Sequence, residues 1–192
     1  AAWVKVTGDV SESNLSLKDL AYFTPNLKNW SHLDVKFNTI ARGTMNELML
    51  NNLYASLNEN SIKVGGQMKV LDLFSGKGLN TIAKLNRLSF EKKDIEFIFQ
   101  KKELPAEIDR LGRMSYNGEF KGNPTKFILN GKLLTSHGTG ILKEMQFDFN
   151  NPNLPKYKGG IQVQNLKLND IIAGGSPIDA LTALVYIDGE GF

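Results

Sequence analysis

The stretch Ile62-Lys63-Val64-Gly65-Gly66-Gln67-Met68-Lys69-Val70 decides how the chain is read. Successive side chains of an extended backbone point to opposite faces. Ile62, Val64, Met68 and Val70 therefore share one face, and Lys63, Gln67 and Lys69 share the other. Such a strand is dry on one side and wet on the other, which an antiparallel sheet tolerates. A parallel sheet covered on both faces would read as unbroken apolar runs. The pattern recurs outward in both directions: Leu33-Val35-Phe37, Ile95-Phe97-Phe99, Met114-Tyr116-Phe120, Phe127-Leu129-Leu133, Met145-Phe147-Phe149 and Ile161-Val163. Turn chemistry separates these runs, at Asn58-Glu59-Asn60, Ser75-Gly76-Lys77-Gly78, Gly122-Asn123-Pro124 and Asn150-Asn151-Pro152-Asn153. The expectation is an all-β, mostly antiparallel protein.

Helices are expected to be few and short. Ser16-Leu17-Lys18-Asp19 resembles a capping box whose helix Pro25 must end. Pro105 and Gly112 bracket a second short helix, and 169–174 allows a third turn. None is long enough to lid a large sheet. Glycines Gly66, Gly118, Gly131, Gly159 and Gly189 fall inside strands, where glycine marks a bulge, a bend or a close approach of backbones. Bends at a common level would fold a sheet into a trough, whereas independent bulges would suit a β-sandwich.

The 192 residues are 41% hydrophobic and 22% charged, a composition that folds into one or two domains. The net charge of +3 is scattered, with no basic stripe interleaved with aromatics, so nucleic acid is not an expected partner. Cysteine is absent, which excludes disulfides, thiolate zinc sites and cysteine nucleophiles and suits an oxidising compartment. No apolar run approaches the roughly 18 residues that span a bilayer, and no export leader opens the sequence. The abrupt ends at Ala1 and Phe192 point to a single β-rich segment, 1–192, cut from a longer protein, with a candidate sub-boundary near 103–113.

Catalytic patterns are weak. Lys69-Val70-Leu71-Asp72-Leu73-Phe74-Ser75-Gly76-Lys77-Gly78 resembles the first motif of S-adenosylmethionine-dependent methyltransferases, with Gly76 and Gly78 approaching the cofactor. That fold needs a crossover helix and a second strand ending in an acid. Here Ile95-Phe97-Phe99 alternates and Gln100-Lys101 follows it. His32 and His137 are the only imidazoles, no Gly-x-Ser-x-Gly elbow accompanies them, and no metal-ligand spacing is present. No catalytic residue, cofactor or metal site is assigned, and the chain is expected not to be an enzyme.

The apolar faces must still be covered, at about 25 cal/mol per Å² removed from water. A second sheet would give a sandwich. A ligand would give a groove, and a long acyl chain gains about 0.8 kcal/mol per buried methylene.

The order of several short motifs resembles the TamB family of envelope proteins, relatives of the AsmA-like proteins, in its Bacteroidota form. Those motifs are Leu17-Lys18-Asp19-Leu20-Ala21-Tyr22-Phe23-Thr24-Pro25, Ala41-Arg42-Gly43-Thr44-Met45-Asn46-Glu47-Leu48 and Leu104-Pro105-Ala106-Glu107-Ile108-Asp109-Arg110-Leu111-Gly112. Tyr116-Asn117-Gly118-Glu119-Phe120-Lys121-Gly122, Leu134-Thr135-Ser136-His137-Gly138-Thr139-Gly140, Tyr157-Lys158-Gly159-Gly160 and Gly189-Glu190-Gly191-Phe192 continue the run. The resemblance implies an elongated periplasmic trough, or β-taco, in a protein anchored in the inner membrane. It also implies an outer-membrane barrel partner of the TamA kind, reached through other parts of the full-length protein. The implied function is passage of phospholipid between the membranes, assembly of outer-membrane barrels, or both. Joined to the alternation, it gives an expected lipid-groove lining of Val35, Phe37, Val64, Met68, Phe97, Phe99, Phe127, Leu129, Phe147 and Ile161, touching phospholipid acyl chains. The competing expectations are a module that binds client strands at its sheet edges and, further off, the methyltransferase.

Overall fold

The structure, a computed structural model, describes residues 4–23, 25–44, 46–72, 79–100, 104–151 and 154–191. The first half contains strand β1 (Lys5–Ser16), helix α1 (Leu17–Phe23), a 3₁₀ turn (Pro25–Trp30), β2 (Asp34–Thr44), β3 (Glu47–Leu57), β4 (Ile62–Leu71) and β5 (Asn80–Phe90). The second contains α2 (Lys92–Phe99), α3 (Ala106–Arg110), β6 (Met114–Asn123), β7 (Lys126–Thr135), β8 (Gly138–Asp148), β9 (Lys156–Lys167), α4 (Leu168–Ile171) and β10 (Ala180–Glu190). All ten strands form one antiparallel sheet in chain order, with β1 at one edge and β10 at the other. Nine strand spacings of about 4.8 Å make the sheet about 43 Å across.

The sheet is folded across its strands. Register shifts interrupt the middle of every adjacent pair except β6–β7, which has none, and β9–β10, whose shift lies near the start of β10 between Leu181 and Ala183. An extra residue on one strand bends it and raises its twist. Lined up across neighbouring strands, these interruptions form a crease, and each strand becomes two arms. Residues from both arms then pack on one core. Val64 and Met68 of β4, Leu129 and Leu133 of β7, and Tyr157 and Ile161 of β9 all surround buried Ala83, Leu85, Tyr116, Leu142 and Met145. The result is a single sheet curved into a trough, and the sandwich alternative does not form.

At β6 and β7 the crease is made by a facing glycine pair, Gly118 and Gly131. Gly131 has φ +157, and a Cβ on it would strike the Asn117 carbonyl oxygen and come within 2.6 Å of the Gly118 Cα. The Tyr116 hydroxyl crosses the same spot, donating to the carbonyls of Glu119 at 2.8 Å and Asn130 at 2.9 Å. A side chain at Gly118 would meet that hydroxyl at 2.6 Å. Gly66 and Gly159 lie in the same crease on β4 and β9.

One expectation fails. Ile95-Phe97-Phe99 lies in helix α2 and not in a strand. The same residues also satisfy helical spacing, with Ile95, Ile98 and Phe99 at i, i+3 and i+4. The Asp94 carboxylate accepts the Glu91 N–H at 2.8 Å and so caps the helix start. The expected short helices are present, with Pro105 at the N-cap of α3 and Gly112 just past its end at φ +66. The Gly76 and Gly78 motif lies outside the described residues. The strands flanking it, β4 and β5, are antiparallel neighbours, so residues 80–90 form a hairpin partner and not a crossover helix.

Gly131→Val should cost about 3 kcal/mol from backbone strain and overpacking together. Gly8→Ala, where nothing lies within 4 Å of the new methyl, should change stability by less than about 0.5 kcal/mol. Urea unfolding of the two variants checks the contrast.

Candidate functional site

The inward face of the trough carries two long rows of side chains, one on each arm. The register places Phe37, Ala55, Val64, Leu88, Tyr116, Leu133, Gly140, Val163 and Ala183 in one row, strand by strand. On the other arm, Val6, Gly43, Leu48, Val70, Thr81, Gly122, Phe127, Phe147, Tyr157 and Gly189 form the second. With Ser13 as the β1 member of the first row, both rows cross all ten strands, and apart from Ser13 and Thr81 they hold only aliphatic and aromatic side chains and glycines. The outward rows carry ion pairs instead, such as Lys69 with Glu47 at 2.7 Å and Lys158 with Asp188 at 2.8 Å.

The lips of the trough meet through aromatic rings. All four helices and the 3₁₀ turn lie at one end of the strands, whereas Phe149 lies just beyond the other end. Yet Phe99 of α2 packs at a tilt against Phe149 at 4.5 Å and meets Trp30 of the 3₁₀ turn edge-to-face at 5.2 Å. A flat strand of this length would separate the two ends by about 33 Å. An eight-residue helix reaches only about 12 Å, so the contact requires the fold at mid-strand. From Phe149 the rings continue inward to Phe127, Phe147 and Phe120, at centroid distances of 5.1 to 6.2 Å. Each such pair adds about 0.5–1.5 kcal/mol beyond its buried area.

Helix α2 is clamped at both ends. Fully buried Asp94 accepts hydrogen bonds from Asn58 at 2.8 Å and Ser61 at 2.5 Å, besides its bond to the Glu91 N–H. Arg113 reaches Glu91 at 3.0 Å, the Ser89 hydroxyl at 2.9 Å and the Ser61 carbonyl at 2.8 Å. At the far end, His32 lies between the Gln100 amide at 2.7 Å and the Phe97 carbonyl at 3.0 Å. The shortage of helices did not leave the trough uncovered; α2 and the 3₁₀ turn close part of its mouth.

Most of the expected lining faces the interior. Val64, Met68, Leu129, Phe147 and Ile161 pack against the buried core, and Phe127 stacks between Phe120 and Phe147. Val35 and Phe37 are half-buried on β2, near one edge. Phe97 and Phe99 are corrected, because they belong to the helix at the lip. Phe97 is 38% exposed, with its ring against His32, and Phe99 supplies the ring that bridges the lips. The expectation omitted Tyr116, Tyr157, Phe120 and the small residues Ala83 and Ala55, although all of them obey the same alternation. The middle of the trough is a packed core, with Tyr116 only 2% exposed. Its ends are more open. A concavity of about 530 Å³ lies on the outward face of β6 to β10, between the row of Lys121, Ile128, Gln146 and Lys158 and the row of Lys126 and Lys156, with Phe127, Phe147 and Tyr157 in the strands between them. Asp148, Asp188 and Glu190 also line it. The Asn150 N–H holds the Asp148 carboxyl below its ordinary range, with Lys126 assisting. A hydrogen bond to Asp188 raises Lys158.

Among the described residues, no cluster of three or more histidine or carboxylate side chains could hold a metal ion, and no helix is long and apolar enough to cross a membrane. His137 occupies the β7–β8 turn and meets Asp170 at 3.1 Å. No family model matches the chain, and no curated protein or solved structure is detectably similar to it.

Two outcomes follow from the interior. The Trp30 Nε1–H is buried without a partner among the described residues, and an unmet donor costs about 1–3 kcal/mol. Trp30→Phe should therefore stay within about 1 kcal/mol of the native chain, whereas Trp30→Ala should lose about 3 kcal/mol in denaturant melts. Burial pushes the Tyr116 phenol up to about 12 from its ordinary 10. Its neutral form is favoured in the fold, so this contribution is complete below pH 10 and is lost as pH rises from 10 towards 12. Melting temperatures across that window should fall less steeply in Tyr116→Phe than in the native chain.

Proposed function

We propose that this chain is a non-enzymatic segment of a TamB-like envelope protein, whose trough holds phospholipid acyl chains on their way between membranes. The observation that carries this reading is the continuity of the two inward rows across the ten strands, apolar except at Ser13 and Thr81. An ordinary core is sealed on all sides, but the interior of this folded sheet continues across every strand to the outermost two. The about 43 Å of trough exceeds the depth of one acyl layer, about half of a ~30 Å hydrocarbon core. Aromatic and aliphatic walls bind a methylene chain without directional bonds, so the chain exchanges positions at little cost. Under this reading the protein works in the periplasm, with an inner-membrane anchor and a barrel partner of the TamA kind supplied elsewhere in the full-length protein.

The packed centre around Tyr116 sets the terms of the reading. Lipid first meets the half-buried wall of Phe127, Phe147 and Tyr157, at the helix-free end of the strands, and passes the centre only if the lips separate. Binding is therefore expected first at that end.

A fluorescent fatty acid should bind the native chain and be displaced by phospholipid. Phe147→Asp should weaken binding at least tenfold, while Ile82→Glu, on the outward face, should leave it unchanged. Circular dichroism and melting of each variant show whether the sheet survives, and Phe147→Ala offers a milder probe of the same wall. Absence of binding by the native chain, or equal loss from both faces, defeats the reading.

A further inference from the structure

We infer that the outward face of β3 to β6 carries a binding site for an acidic glycan, a chain of acetamido sugars bearing carboxylates. The inference does not require the trough to hold lipid. A concavity of about 590 Å³ crosses these four strands on the outer side of the crease. Each of the four is paired on both sides, so the site is complete within the sheet.

The bulges that bend the sheet also build this site. A regular strand sends one of any two neighbouring residues inward. On β5 the register against β6 steps from Leu85 to Leu88, so Asn86 and Arg87 both stand opposite Asn117, and both are exposed. On β3 the register against β4 steps from Leu50 to Leu53, and Asn52, at φ +49, is turned out in the same way beside Gln67. Between Tyr54 and Arg87 the outward row passes through Gly65, which has no side chain. A Cβ there would come within 3.0 Å of the Asn86 side-chain oxygen. The site therefore has a floor of backbone, an aromatic ring on one side and a guanidinium on the other.

The chemistry of the walls selects the ligand. Four side-chain amides, Asn52, Gln67, Asn86 and Asn117, line the concavity. An amide offers both donors and acceptors, which suits hydroxyl and acetamido groups. Among the described residues only Asn117 of the four has its side chain engaged, donating to the Asn86 carbonyl at 3.1 Å. Tyr54 is 46% exposed, and its ring offers a flat apolar face to the C–H face of a sugar. Arg87 can fork onto a carboxylate. Elsewhere the outward rows hold paired charges. Here no carboxylate lines the concavity, and only Lys84 has an acidic neighbour, Glu119 at 3.8 Å. Other ligands fit less well. An acyl chain needs an apolar wall, a nucleic-acid backbone needs several free cations, and an added peptide strand needs an unpaired edge.

Calorimetry and NMR on the full chain test the site. The probe is a short oligosaccharide alternating N-acetylglucosamine with glucuronic acid, set against a neutral oligomer of N-acetylglucosamine. The acidic probe should bind saturably, at least about tenfold more tightly than the neutral one. It should shift the side-chain amide signals of Asn52, Asn86 and Asn117, and phospholipid should not displace it. Tyr54→Ala should weaken its binding about tenfold, whereas Tyr54→Phe should stay within about threefold. Arg87→Gln should cost the acidic probe about tenfold and leave the neutral one unaffected. Gly65→Ala, which raises the floor, should weaken the acidic probe about fivefold. Melting of each variant checks the sheet, and the amide shifts of the native chain need no variant. No saturable binding of the acidic probe, equal binding by a short polyglutamate, amide shifts confined to other surfaces, or full binding by Tyr54→Ala overturns the inference.

Discussion

Strands β1 to β9 bend at the same level, and the rest of the architecture depends on that alignment. A lone bulge relieves one pair of strands; a line of them turns a sheet about an axis across its strands. The backbone groups displaced at each bulge are tolerated because the neighbouring strand shifts register at the same place. Where β6 and β7 keep perfect register, two glycines without side chains let the backbones close instead, and the Tyr116 hydroxyl satisfies carbonyls exposed by the turn. That buried phenol makes the crease a polar joint inside an apolar interior.

The crease brings two arms of one sheet face to face, so the sheet supplies its own cover. Burial of the inward rows then comes from residues far apart along each strand but adjacent after folding. The lips are joined by a short aromatic bridge whose helix is fixed at one end by Asp94 and at the other by His32. Among the described residues the Trp30 donor has no partner, so this bridge is less fully satisfied than the crease. A trough hinged at a rigid crease and latched by ring contacts has its weakest interactions at the mouth. A conduit requires the same arrangement, since its cargo must enter without unfolding the sheet.

Alternation was legible along most of the chain because period-two patterning is local: Val64, Met68, Leu129 and Ile161 face inward as a simple count predicts. The short helices around Pro25, Pro105 and Asn169 were legible for the same reason, since proline and capping residues act on their own turn. Ile95-Phe97-Phe99 misled because four apolar residues in five satisfy both periods, and only the Asp94 cap, fixed by Asn58 and Ser61 from a distant turn, selects the helix. Phe97 and Phe99 thus moved from the groove wall to the lip.

What the residues alone determined is the strand content, the antiparallel habit and the choice of apolar face, each set by neighbours within a few positions. Whether those faces would meet a second sheet or one another was decided only in three dimensions. Single glycines and bulges look the same in a sandwich and a trough. Their meaning lies in the register between strands, which aligns them into one crease.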